Sequence, residues 1–429
     1  MKKLFFLVIV LVSSIATSQS KKVLKLIDNV EPKVIEWRRD FHEHPELSNR
    51  EFRTSKIIAD YLKSLGIEVQ TGVAHTGVVG ILKGGKPGPV VALRADIDAL
   101  PVTERVDLPF KSKFTSTYNG IKTGVMHACG HDTHIAMMMG TATVLSKIRK
   151  DLKGTVKFIF QPAEEGAPVG EEGGAKLMVK EGVLKNPDVD VIFGMHISSG
   201  THVGKITYKP GGTMAAAQRF EIHVHGKQAH GSTPWMSIDP IVISAQIING
   251  LQVIISRNLD LTKEGAVITV GMIKSGIRNN IIPEEATLIG TIRTLDYDMQ
   301  KKLNKTMIKR VKAIAESYGA TADITIDEGL PITYNDPALT AEMLPSLQKA
   351  VDKGKLVEIK AITGAEDFSF FQKEVPGLYF FVGGTPLNVA EKDAPSHHTP
   401  SFYIDESGMK TGVKAMVNLT LDYMNKHAK

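Results

Sequence analysis

Eight residues, HACGHDTH from His127 to His134, bring three histidines together with the only cysteine of the chain. A thiolate and an imidazole separated by one residue, as Cys129 and His131 are, can both face one ion. Groups of the same kind end apolar runs elsewhere. Asp96 and Asp98 close ALRADIDALP, Glu164 and Glu165 close FIFQPAEE, and His196 closes VIFGMH. His397 and His398 stand in SHHTPSFYIDE near the C-terminal end. Thiolate, imidazole and carboxylate together suit Zn2+ or Mn2+. A lone cysteine is ordinarily a buried apolar filler; so many ligand-type side chains at strand ends favour a metal ligand instead. His42 and His44 read as structural, and the run Met137 to Met139 as core packing.

Elements that could deliver these groups are legible in the periodicity. Residues 21 to 65 read as helices, the last ending at Gly66. VVALRAD, TVKFIFQP and DVIFGMH are short β-branched runs of the kind that form buried strands, and HIAMMMGTATVLSKI and GGAKLMVKEG are helices between them. Strands alternating with helices predict an α/β fold, a largely parallel sheet covered on both faces, with ligands at the C-terminal strand ends. From residue 215 to 329 the order becomes β-α-β-β-α-β, the split ferredoxin-like pattern, inserted into the first domain. The catalytic domain is then expected to comprise 19–214 and 330–429.

The 429 residues carry a formal charge of +6 spread over both signs, with no basic block, so nucleic-acid binding is not expected. MKKLFFLVIVLVSSIATSQS has the order of a secretory signal peptide: two lysines, about ten apolar residues, then small polar ones. Cleavage is expected before Gln19, so that residues 1–18 are removed. The apolar run is too short for a comfortable membrane span. Export to the periplasm or the medium ordinarily brings disulfides. With no second cysteine, Cys129 is expected to be buried, reactive or metal-bound.

FHEHPELS, LRADIDALPV, MHACGHDTH, PAEEG, GMH, GKQAHGSTPWMSIDPI, GAEDFSFF and HHTPSFYIDE occur in this order. Together they resemble the metallo-amidohydrolase family of bacterial hippurate hydrolases, N-acyl-amino-acid hydrolases and plant auxin-conjugate hydrolases. That resemblance implies a zinc-peptidase-like catalytic domain and a smaller ferredoxin-like lid that serves as a dimer interface. It implies two divalent ions per chain, Mn2+ or Zn2+, on Cys129, His131, Glu165, His196 and His398, with His398 preferred to His397 because of its distance from Pro400. It implies Glu164 as general base and Asp98 as a support behind the site. The stretch GAPVGEEGGA departs from the family pattern after the acid pair.

The expected reaction is hydrolysis of the amide bond of an N-acyl amino acid or short peptide by metal-activated water. His230 and Asn280 in the inserted domain are expected to hydrogen-bond the developing oxyanion; the resemblance implies that the site they serve belongs to the partner subunit of a homodimer. Two alternatives remain: an exported carboxypeptidase or dipeptidase on the same scaffold, and a non-catalytic metal- or peptide-binding protein, which would need no general base.

Overall fold

The computed structural model describes residues 2–428, and their side chains from Lys21 onward. The expected leader, residues 1–18, lies outside the side chains described. In chain order the principal elements are α1 (Lys2–Glu43), α2 (Phe52–Ser64), β1 (Glu68–Val73), β2 (Gly77–Lys83), β3 (Lys86–Asp96), α3 (His131–Lys147), β4 (Lys153–Gln161), β5 (Val191–His202) and β6 (Ile206–Tyr208). They continue with β7 (Ala216–His225), α4 (Pro240–Asn258), β8 (Ala266–Ser275), β9 (Glu285–Thr294), α5 (Tyr297–Ser317), β10 (Thr321–Ile326), β11 (Leu356–Glu358), β12 (Gly377–Thr385) and α6 (Met409–His427). The chain divides into two compact units.

The first unit comprises 1–210, 335–359 and 370–429. Its eight-stranded sheet has the order β1-β2-β4-β3-β5-β12-β6-β11. Pairings from β4 through β3 and β5 to β12 are parallel, and the β1–β2 and β2–β4 pairs at one side are antiparallel. Every residue of β12 is buried, as expected of a strand covered on both faces. α1 presents Val23, Ile27, Val30, Val34, Trp37 and Phe41 as one apolar stripe. α3 is buried almost all round. Gly412 of α6 lets that helix approach it: a Cβ there would stand 2.2 Å from the Met137 sulfur. The parallel strands β3 and β4 end at Asp96 and Gln161, so the turns that follow them emerge at one sheet edge.

His196 does not close its strand as the sequence suggested. β5 runs on to His202, because β12 pairs with it as far as Thr385. His196 therefore sits mid-strand, at a backbone position fixed by both neighbours.

The second unit comprises 211–334 and 360–369. The segment 360–369 clusters with this unit, whereas the sequence assigned all of 330–429 to the first. Its backbone reaches across to the second unit's strand segments: Ala215 N–H donates to both Ile362 O and Gly364 O. An antiparallel sheet of order β8-β9-β7-β10 carries α4 and α5, giving the β-α-β-β-α-β order. β7 and β9 alternate buried and open residues. Ile243, Ile247, Leu251 and Ile254 of α4 meet Leu303, Met307 and Val311 of α5 in its core. Asp239 and Asp296 cap the two helices by accepting N–H groups of Ile241 and Met299.

Candidate metal centre

Gly130 makes the Cys-Gly-His geometry possible. It caps α3 with φ of 91° and packs so closely that a Cβ would lie 2.4 Å from Ile197 Cγ2. The reversal sends the Cys129 sulfur and the His131 ring to the same side. Cys129 Sγ lies 3.3 Å from His196 Nε2 and 3.3 Å from His398 Nε2. His398 Nε2 is also 3.1 Å from Glu165 Oε1. His131 Nε2 stands 3.9 Å from Glu164 Oε2 and 3.9 Å from Glu165 Oε1. Cys129, His131 and Glu165 thus converge to within 4.8 Å, ligand atom to ligand atom.

The hydrogen bonds of the rings decide which nitrogens are offered. His131 Nδ1 meets Asp98 O at 2.9 Å and Asp98 Oδ1 at 3.2 Å, which leaves Nε2 turned to the centre. That nitrogen is buried and has no hydrogen-bond partner. His196 Nδ1 donates to Ile197 O, leaving its Nε2 lone pair toward the sulfur. Such partners on the far nitrogen fix tautomer and ring direction in metal sites.

Two other histidines near the centre have both ring nitrogens engaged by the scaffold. His397 Nε2 accepts the Ser199 N–H at 3.1 Å, so its Nδ1 carries the proton and donates to Cys129 O at 3.1 Å. His134 Nε2 accepts the Ile197 N–H at 2.8 Å, and its Nδ1 donates to Asp96. Both rings are spent on the scaffold. His134 lies beneath the centre, 5.4 Å from the His131 ring and 4.6 Å from that of His196. Asp96 is held in turn by Arg94 at 2.7 Å. Sequence reasoning noted Asp96 but gave His134 no part. The available signal was its spacing of three from His131, which puts both on one helix face.

Asp98 contacts the His131 ring through its carbonyl oxygen and Oδ1. Besides His131, its Oδ2 accepts Ser48 Oγ at 2.7 Å and the Glu165 N–H at 3.0 Å. Asp132 was not foreseen. It is fully buried, with Arg38 Nε at 2.9 Å and His42 Nδ1 at 2.8 Å, and His42 reaches Glu104 at 3.1 Å. The structural reading of His42 is thereby explained.

Electrostatics agree with a cation at the centre. Burial, with the Glu165 and Glu164 carboxylates, pushes the Cys129 thiol well above its ordinary value, so a thiolate there requires a positive partner. Burial opposes charge on His131, but Asp96 and Asp98 outweigh it and hold the ring up to about 10. Burial drives His196 well down and His397 down to about 4. The donor set of one sulfur, three imidazole nitrogens and carboxylate oxygen suits a borderline divalent ion such as Zn2+. The fit rests on the orphaned His131 nitrogen and the thiol.

In the second unit, His230 and Asn280 are neighbours. Ala229–His230 pairs with Ile281–Ile282, and Gly231 N–H donates to Asn280 O at 2.9 Å. Both side chains are exposed. Ser232 Oγ lies 2.7 Å from His230 Nδ1.

A family model described as peptidase family M20/M25/M40 matches residues 92–422. The chain belongs to that family. Among M20 relatives it is 43% identical over 408 residues to thermostable carboxypeptidase 2 of Saccharolobus solfataricus, covering 95% of this chain and 99% of the other. It is 39% identical over 391 residues to N-acetylcysteine deacetylase of Bacillus subtilis, covering 91% and 96%. A solved Bacillus subtilis structure, described as a dinuclear metal-binding peptidase of the M20 family, superposes with a TM-score of 0.78 at 36% identity, covering 93% and 99%. The M20 chain is accordingly a metal-dependent hydrolase, built on the α/β fold with an inserted ferredoxin-like unit that its sequence predicted.

Proposed function

We propose that this chain hydrolyses the amide bond of N-acyl amino acids, with two divalent ions held by Cys129, His131, Glu165, His196 and His398. The observation that carries the reading is the convergence of Cys129 Sγ with the Nε2 atoms of His196 and His398 at 3.3 Å each, next to adjacent glutamates. When bound, the ions supply Lewis acidity toward the scissile carbonyl and toward water. Glu164 takes the proton of the attacking water and passes it to the leaving amine. Glu165, which approaches His398, is the ligand of the pair. Asp98 orients both His131 and the Glu165 backbone. Mn2+ and Zn2+ both suit the donor set.

His230 and Asn280 supply hydrogen bonds to the developing oxyanion. Support comes from their adjacency at one corner of the second unit. The chain acts as a homodimer through that unit. α4 turns Ile241, Val242 and Val253 outward, and the edge strand β8 exposes Val267, Met272 and Ile273. An open, apolar strand edge is what a second copy would cover. Export rests on the leader-like residues 1–18.

The deciding experiment profiles the mature chain, stripped of metal and reloaded with Mn2+ or Zn2+, against acyl-amino acids and dipeptides. Turnover of acyl-amino acids only in the reloaded protein is expected. Preference for peptides would favour a second reading, a carboxypeptidase, which the 43% identity to a relative of that name supports. Full metal occupancy without turnover of either class would leave a binding protein.

A further inference from the structure

The acid pair stands on an unusual turn. Ala163, two residues before Glu165, has φ of 52°, a left-handed conformation that costs a residue with a Cβ about 1 kcal/mol or more. Something must hold it there. The Ala163 N–H donates to Glu51 Oε1 at 3.0 Å, and Thr76 Oγ1 donates to the other oxygen of the same carboxyl. Glu51 and Ala163 are both fully buried. The two residues before Glu51 grip the far end of the same loop. Asn49 Nδ2 reaches Glu171 Oε2 at 3.0 Å and Glu172 O at 3.1 Å, and the Arg50 guanidinium pairs with Glu171. Three consecutive residues, Asn49 to Glu51, therefore clasp the loop 163–172 at both ends.

We propose that Glu51 is a positioning residue: by holding the Ala163 N–H it sets the turn from which Glu164 and Glu165 project, while Asn49 and Arg50 anchor the loop that follows. This rests on the roles proposed for Glu164 and Glu165. The essential feature is a hydrogen-bond acceptor at the length of a glutamate. Glu51→Gln keeps that acceptor. Glu51→Asp keeps the carboxyl group but shortens its reach, and Glu51→Ala removes it.

The test uses the full mature chain and three readouts: amide hydrogen exchange at Ala163 in metal-free protein, affinity for Zn2+ alone by titration, and kcat and KM on an acyl-amino acid. Glu51→Ala and Glu51→Asp are expected to expose the Ala163 amide to exchange. They should also lower Zn2+ affinity or kcat about 10- to 100-fold, the range for residues that orient ligands, with KM little changed. Glu51→Gln should keep all three close to the parent's values. If Glu51→Ala fails to fold, Glu51→Asp carries the comparison. Unchanged exchange in Glu51→Asp would overturn the clasp. Raised exchange with unaltered Zn2+ affinity and kcat would overturn the positioning role, and so would failure of Glu51→Gln to keep the parent's values. Should the parent hydrolyse no acyl-amino acid, the functional reading fails, but exchange and Zn2+ affinity still decide this one.

Discussion

The Nε2 atom of His398 lies 3.3 Å from the Cys129 sulfur, while the next ring in the chain, His397, donates from Nδ1 to the carbonyl of that same cysteine. Adjacent histidines thus meet one residue in two different capacities. The backbone makes the distinction: His398 has φ of 62°, and its N–H donates to Ala128 O at 2.8 Å, which turns the two rings apart. His398→Ala is expected to lower bound metal by at least one ion per chain, read by elemental analysis. His397→Ala should retain metal and lose stability instead. Equal metal loss in both would refute the assignment.

Glu164→Gln keeps size and shape but cannot accept a proton. It should bind metal as the parent does and lose kcat by roughly 10²–10⁴-fold, the usual range for a general base. Near-normal turnover in a metal-loaded sample would remove Glu164 from the role.

Asp132→Ala removes the buried carboxylate that Arg38 and His42 share, leaving Arg38 with Glu406 and His42 with Glu104. Breaking a buried ion pair from one side costs about 3–5 kcal/mol. Urea unfolding monitored by circular dichroism should show a loss of that order. A change below about 1 kcal/mol would mean that the network is worth no more than a surface pair.

Burial and the nearby Asp98 carboxylate push Glu51 up to about 8 from 4.5. A group whose folded value is raised takes up a proton on folding between those limits. Its contribution is therefore complete below about 4.5 and is lost as pH rises toward 8. Glu51→Gln removes this dependence. The stability of the variant relative to the parent, from urea melts of metal-free protein, should grow between pH 5 and 8. A constant difference across that range would show that Glu51 titrates normally.

His230→Ala should leave metal content and folding intact and lower kcat more than it raises KM. Mixing it with Glu164→Gln tests the shared site of the proposed dimer. Heterodimers regain one working centre if His230 serves the partner subunit. No recovery after demonstrated subunit exchange would confine His230 to its own chain or to no catalytic part.

Much of the site was legible because its chemistry is written at short range. One glycine between Cys129 and His131, and no residue between Glu164 and Glu165, keep each pair close together whatever the rest of the chain does. The alternation of β7 and β9 and the four-residue repeat of α5 likewise follow from the periods of strand and helix. Those signals carried the α/β class and the β-α-β-β-α-β order, and offered a wider set of candidate donors from which the family resemblance, not the spacing, chose. Other relationships join residues far apart in the chain, and only the order of strands in the sheet decided them. Asp98 reaches both His131 and Glu165 because β3 and β4 are parallel neighbours that end side by side. His134 is spent on Asp96 and Ile197 because α3 packs over β3 and β5. Glu51 meets Ala163 across 112 residues, at a φ that no residue pattern announces. Spacing states which side chains share a face; which nitrogen is left with a free lone pair depends on backbone groups that only the folded chain brings near.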